Sequence, residues 1–407
     1  MDAGSRPDRF DIDPLRGLVC LSLCVLHFYV GPLTEEFDAL FGEAGRNAIH
    51  RYRPGVESFL VLAGLLLAHS MRPVPGERVS VGAYLRRRFL RLVVPYWAAV
   101  ILATADRWLP ALAGSASPQG AGWREVTARL FFAEEVFGYP EAGVGFWSMV
   151  VLEQFYLLWL GAFGLVLLLP GPAHDPWRAT RVMAVLTVIG GLASTAWVCY
   201  AYRAGEIGAL DGRFKLPKSA IYLTLGMLLY WPLRGGFGRW LLAIGVIAVL
   251  GVGVYTGRSQ PYKALILAAV LVPLVHGWHW PDLWPVRALG FVGRRSYSLY
   301  LMHAIVGNRF LMLDAVRSRV GLSDWWAIAE LVAALSVSLL AAMAFYRLVE
   351  LPMYRRALRV RYRRPEPDLA ARADYPDVAE TPRSRAWDRA PAAPLVSSRR
   401  ELPPAYE

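Results

Sequence analysis

Arg16 and His27 stand eleven residues apart in Arg-Gly-Leu-Val-Cys-Leu-Ser-Leu-Cys-Val-Leu-His, a stretch otherwise apolar enough to enter a bilayer. Eleven residues make about three helical turns, so the two side chains share one face roughly 16 Å apart along the axis. Charged and titratable groups are costly in hydrocarbon and usually face a polar cavity. An uncharged imidazole so placed has the chemistry of a general base. Glu153, an acid well inside another apolar run, has no lipid-compatible role and is expected to face the same cavity. It could orient a histidine, bind hydroxyls or neutralise an arginine. Cys20 and Cys24 share the Arg16–His27 face, where a thiol acyl carrier and plain apolar packing both fit.

The elements that must hold these residues are helices in a membrane. The chain has 407 residues, 56% of them apolar. Ten runs come close to the roughly 20 residues that cross a bilayer: 14–31, 55–70, 84–105, 145–169, 180–202, 217–233, 239–256, 262–278, 288–306 and 326–349. The first two are short and interrupted, as for helices lining a cavity. The expected fold is an all-α integral membrane bundle of about ten transmembrane helices with a central polar cavity. Residues 1–10 form a polar lead-in, 11–360 the membrane domain, and 361–407 a Pro- and Arg-rich cytoplasmic tail without apolar periodicity, expected to be disordered. Residues 107–144 carry Trp108, Trp123, Phe131, Phe132, Phe137 and Tyr139 among acids, as in an interfacial helix or a lid.

A net charge of +12 raises nucleic acid as a partner, but its placement excludes that. Bases cluster at the ends of apolar runs: Arg86, Arg87, Arg88 and Arg91, then Arg355, Arg356, Arg359, Arg361, Arg363 and Arg364. With ten spans both termini share one side, and the positive-inside rule makes it cytoplasmic in a plasma or inner membrane. Arg203, Arg213, Lys215 and Lys218 run against that pattern in one opposite loop, which either meets an anionic acceptor or is simply solvated. The three cysteines lie in apolar runs, and no histidine has a metal-ligand companion at a useful spacing, so no metal and no bound cofactor is expected.

Six segments, taken in order, resemble the acyltransferase family 3 membrane proteins, which O-acylate envelope polysaccharides and other glycans. Arg9-Phe10-Asp11-Ile12-Asp13-Pro14-Leu15-Arg16-Gly17 with His27 is similar to the family opening and its arginine-to-histidine spacing. Gly55 to Gly64 resembles a second family stretch, with Ala63 in place of the usual Ser; Arg88-Phe-Leu-Arg91 with Pro95-Tyr96-Trp97 resembles a third. Phe146-Trp147-Ser148 through Glu153-Gln154-Phe155-Tyr156 is a fourth. Ser296-Tyr297-Ser298-Leu299-Tyr300-Leu301-Met302-His303 and Tyr346 to Pro352 complete the set.

The resemblance implies transfer of an acyl group, acetyl foremost, from cytoplasmic acyl-CoA to a hydroxyl of an extracytoplasmic glycan. The donor is a substrate, and the other partners are the acceptor and the bilayer. On this reading His27 is the general base, worth about 10²–10⁴ in rate, with Arg16 and Glu153 also catalytic. Arg88 and Arg91 would take coenzyme A phosphates bidentately, although positive-inside anchoring also explains that cluster. Asp13 orients Arg16 or sits at a helix N-terminus, where the dipole favours an acid. Trp147 and Ser148 are candidate substrate contacts and, with Arg16, candidate oxyanion donors; His303 is a candidate acceptor contact. Glu350 is expected to pair with Arg347 or an arginine cluster. The rival reading is a transporter or flippase of a lipid-linked glycan, but the halves show no repeat symmetry.

Overall fold

A computed structural model describes residues 11–74, 77–112, 122–141, 145–169, 175–205, 215–232, 238–313 and 324–365. The chain divides into a unit Met1–Arg364, treated below, and a unit Pro365–Glu407, where most of the expected tail lies outside the described residues. Apart from two three-residue strands, Glu77–Val79 and Arg363–Pro365, regular structure among the described residues is helical.

The helices are α1 (Asp13–Tyr29), α2 (Thr34–Tyr52), α3 (Val56–Ser70), α4 (Val81–Arg88), α5 (Val94–Leu112), α6 (Trp123–Leu130) and α7 (Glu134–Phe137). They continue as α8 (Trp147–Val166), α9 (Pro176–Arg203), α10 (Lys215–Tyr230), α11 (Arg239–Thr256), α12 (Gln260–Val275) and α13 (Trp284–Arg294). The last are α14 (Ser296–Met302), α15 (Asn308–Leu311), α16 (Asp324–Phe345) and α17 (Leu351–Leu358). Wide π-type turns at Phe89–Val93, His303–Gly307 and Tyr346–Glu350 join α4 to α5, α14 to α15 and α16 to α17. Prolines open α1, α9, α12 and α13, where a missing N–H costs nothing, and the Asp175 carboxylate caps α9 by accepting from Trp177 and Arg178 N–H.

Each expected apolar run is helical over most of its length. Among the described residues, five helical stretches are long and apolar enough to cross a membrane unaided: Val81–Asp106, Trp147–Val166, Pro176–Arg203, Arg239–Thr256 and Trp326–Leu358. A sixth arises if α1 and Thr34–Gly45, bent by 105°, count as one span. Helices α3 and α12 are apolar but have only 15 and 16 residues, about 22–24 Å of rise against a hydrocarbon core of about 30 Å. The expected single run 288–306 is corrected: it breaks at Arg295, whose backbone leaves the helical region between α13 and α14. There the Arg295 guanidinium stacks on Phe291 and donates to its carbonyl. Ile101, Leu158, Ile189, Ile247, Ile266 and Leu340 are each more than half exposed, an apolar exterior suited to lipid. Of the aromatics in the segment 107–144, Trp123, Phe131 and Phe137 are exposed and Phe132 is buried; residues 113–121 and 142–144 lie outside the described residues.

Two reciprocal glycine crossings fix the scaffold. A Cβ on Gly17 would collide with the Leu289 carbonyl of α13, and one on Gly293 with the Asp13 carbonyl. Gly64 and Gly226 likewise abut the Leu223 and Val61 carbonyls where α3 crosses α10. Such small-residue contacts let membrane helices approach backbone to backbone. The first crossing holds α1, and so His27.

Candidate active site

Helix α1 is unbroken from Asp13 to Tyr29, so Arg16 and His27 keep their separation of about three turns. Near its end, His27 Nδ1 lies 2.8 Å from Nε2 of His303, with the two rings stacked at 15°. His303 is fully buried and begins the π-type turn after α14; its Nδ1 lies 3.2 Å from the Leu299 carbonyl. A carbonyl only accepts, so the His303 proton sits on Nδ1 and His303 Nε2 accepts from His27 Nδ1–H. Neutral His27 is thereby left with its lone pair on Nε2.

His27 borders a cavity of about 750 Å³. Its walls come from the C-terminal ends of α1, α9 and α11, the N-terminal ends of α3, α8, α10 and α12, the end of α2, and Tyr300. Gly145 closes the wall in the left-handed region, at φ +87°, and a Cβ there would lie 2.8 Å from His27 Cε1. Tyr300 donates its hydroxyl hydrogen to the Gly145 carbonyl, so the Ser148 hydroxyl, 2.8 Å away, donates to Tyr300. Trp147 lines the same cavity, with Lys215 Nζ 5.3 Å from its ring centre.

A second polar group lies deeper in the bundle. Arg88 donates to both oxygens of Glu153, at 3.0 and 2.7 Å, and its guanidinium carbon sits 3.4 Å from the Tyr156 ring centre. Both residues are buried. A third group gathers near the start of α1. Arg16 lies 3.6 Å from Asp13 and feels the charges of Arg91 and Glu350; Glu350 accepts from the Ser298 hydroxyl. Arg91 rests over the Tyr354 ring at 5.3 Å.

Residues 9–347 match an acyltransferase domain. The chain belongs to acyltransferase family 3. A relative, the peptidoglycan O-acetyltransferase OatA of Listeria monocytogenes, is 23% identical over 333 residues, which cover 74% of this chain. The chain spans about half, 51%, of that protein's length. No solved structure matches.

In this family 3 chain the expected site residues fall into three places. His27 and Trp147 line the cavity, while Ser148 and His303 stand behind its wall, hydrogen-bonded to Tyr300 and His27. Arg88 and Glu153 hold each other: Glu153 turns to an arginine rather than to the cavity wall, and Arg88 presents its fork to Glu153. Arg16, Asp13 and Arg91 lie with Glu350, which accepts from the Ser298 hydroxyl and interacts electrostatically with Arg16 and Arg91. Sequence reasoning missed Arg51, Arg53, Glu57, Tyr222, Arg258 and Lys263 at the cavity. The signal available for all but Tyr222 was charge at or near the ends of apolar runs. No cluster of three or more metal-ligating side chains occurs among the described residues.

Beyond the spans, Glu134 of α7 is buried, 1% exposed, with neither carboxylate oxygen hydrogen-bonded. Burial pushes its carboxyl up to about 7, and neighbouring Glu135 adds to the effect.

Proposed function

We propose that this protein is a multi-pass O-acyltransferase of the cell membrane. It takes an acyl group, acetyl foremost, from cytoplasmic acyl-CoA and delivers it to a hydroxyl of an extracytoplasmic glycan. The observation that carries the reading is the His27–His303 pair at the wall of the cavity. The name of the Listeria relative supports acetyl as the acyl group and an envelope glycan as the acceptor class. In this reading α1, α3, α10, α12 and the broken α13–α14 join the five long helices as about ten spans around a central polar cavity. Both termini are cytoplasmic, and the His27 end of α1 faces outward.

The acceptor hydroxyl gives its proton to His27 Nε2 while its oxygen attacks the thioester carbonyl. His303 holds the imidazole in the productive tautomer, as the second partner of a catalytic histidine commonly does. The tetrahedral intermediate collapses by breaking the C–S bond, and the departing sulfur takes the proton from the His27 imidazolium. The resulting oxyanion needs a donor. Of the three expected candidates, Ser148 donates to Tyr300 and Arg16 lies three turns away, which leaves Trp147. Arg16 and Arg91 are the cations offered to donor phosphates, and Arg88, held by Glu153, fixes α4 against α8.

The test is acetyl transfer from labelled acetyl-CoA to envelope glycan by the full chain in lipid nanodiscs. His27→Ala is expected to lower the rate by about 10²–10⁴ with folded protein retained. Transfer at the normal rate in that variant would refute the mechanism, and solute movement without thioester consumption would point to a transporter.

A further inference from the structure

The wall that holds His27 also carries two polar atoms with nothing to bond. Glu57, in the first turn of α3, is 2% exposed, and its Oε1 has no hydrogen-bond partner among the described residues. Arg53, just past the end of α2, has a buried Nε–H that is equally without an acceptor, while its Nη1 donates to the Pro54 carbonyl at 3.5 Å. Both residues line the cavity with His27. The Glu57 carboxylate is folded back over Gly55, where a Cβ would collide with both its oxygens, and Gly55 belongs to the same wall. The Arg53 charge is felt at His27 and at Glu57 alike. Buried polar groups are nearly always bonded, and one that is not calls for an explanation. The helix dipole favours an acid at the start of α3, but it does not account for an oxygen left bare at a cavity wall.

We infer that Glu57 and Arg53 select the acceptor by binding a second hydroxyl. While one hydroxyl of a sugar ring gives its proton to His27, another hydroxyl of the same ring, which does not react, donates to the Glu57 carboxylate and accepts from the Arg53 guanidinium. A hydroxyl is both donor and acceptor, so a single atom satisfies both groups. A carboxylate cannot donate to Glu57, and an ammonium cannot accept from Arg53. Trp147 and Tyr222 on the same wall offer aromatic surface to the ring, the usual make-up of a pocket with a few placed polar groups. This rests on the O-acyltransferase reading and names the residues that choose its substrate.

The test measures binding of methyl glucoside and its 2-, 3-, 4- and 6-deoxy analogues to the full chain in nanodiscs. One analogue is expected to bind the wild type about tenfold more weakly than the parent sugar, because a site built around a hydroxyl is left with unmet groups when that hydroxyl is missing. Glu57→Leu should bind the parent about tenfold more weakly and that analogue no more weakly still, the mark of two changes to one contact. Gly55→Ala pushes the carboxylate aside while keeping its charge, and should lose the same discrimination. It decides alone if Glu57→Leu does not yield monodisperse protein. Glu57→Gln, still an acceptor, should keep part of the preference. The analogue that lacks the reacting hydroxyl should instead be coupled to His27→Ala. A Glu57 that only caps α3 would lower stability when replaced by Leu and leave the ratios between the sugars as in the wild type, which overturns the inference. Equal affinities for all the sugars, or no binding of any, overturn it too. Acetyl transfer from labelled acetyl-CoA to the same sugars tests the underlying reading separately. A Glu57-dependent preference without transfer sinks the transferase and keeps the hydroxyl site. Transfer to every sugar with equal KM, in wild type and Glu57→Leu alike, keeps the transferase and sinks the hydroxyl site.

Discussion

Replacing Glu153 by Gln leaves the Arg88 charge buried, facing one neutral acceptor where a bidentate carboxylate stood. The two contacts are 3.0 and 2.7 Å long, and the side chains are 9% and 4% exposed, so water cannot take the lost partner's place. An exposed pair would be worth at most about 1 kcal/mol. Removing one partner of a buried pair costs about 3–5 kcal/mol, because the other charge is left uncompensated. The expected result is a thermal unfolding midpoint lower by roughly 5–10 °C, followed by tryptophan fluorescence of the nanodisc-embedded protein. The double variant Arg88→Met/Glu153→Met removes both charges and should regain most of the loss, since apolar replacement of a whole buried pair is commonly neutral or better. Acetyl transfer should return with the fold. Glu153→Gln with normal stability and no activity would refute this account and put the carboxylate in the chemistry. A stable double variant whose KM for acetyl-CoA has risen about tenfold would return Arg88 to phosphate binding.

Two further outcomes follow from the same geometry. Gly145→Ala meets a left-handed backbone, which costs a non-glycine residue about 1–2 kcal/mol, and a Cβ 2.8 Å from His27 Cε1; kcat should fall at least about tenfold while size-exclusion shows folded protein, and a normal rate would mean the wall does not position the imidazole. Glu134, with its carboxyl raised from 4.5 to about 7, binds its proton more tightly folded than unfolded. The contribution of Glu134 to stability should therefore be fullest below about pH 4.5 and be lost as pH rises through about 7, by about 3 kcal/mol, with Glu134→Gln stabilising at pH 8 relative to wild type; an unchanged difference between the two profiles would clear Glu134 of the effect.

The helices were legible because apolar runs bounded by arginine, proline and glycine leave little choice of structure. Their lengths were less so. Helices α3 and α12 each rise less than the thickness of a hydrocarbon core, and at Arg295 apolar neighbours on both sides conceal a break. His27 could be read from its spacing to Arg16, since both lie on one helix. Its partner could not: His303 is 276 positions away, and only the α1–α13 crossing and the turn after α14 bring the rings together. Arg88 and Glu153 were each visible as charges inside apolar runs, yet their pairing is a tertiary event between helices 65 positions apart. The cavity bases were hidden for another reason. They come from several separate elements, and each alone looks like an ordinary charge at a helix end.

The separation of Arg16 from His27 bears on how the proposed reaction must be arranged. Three turns of α1 keep the guanidinium far from any atom the imidazole can reach, so the two cannot serve the same bond. An arginine beside Arg91 and Glu350 suits the phosphates of a donor, and a histidine at the cavity suits the hydroxyl of an acceptor. A donor that spans the interval, with phosphates at one end of a long flexible arm and a thioester at the other, reconciles the two. Coenzyme A has that form. Across the same interval the buried Arg88–Glu153 pair keeps that cation neutralised inside the bundle. On the proposed function, such an arrangement would let the acyl group pass across the bilayer while the anionic head of the donor stayed on the side where it binds.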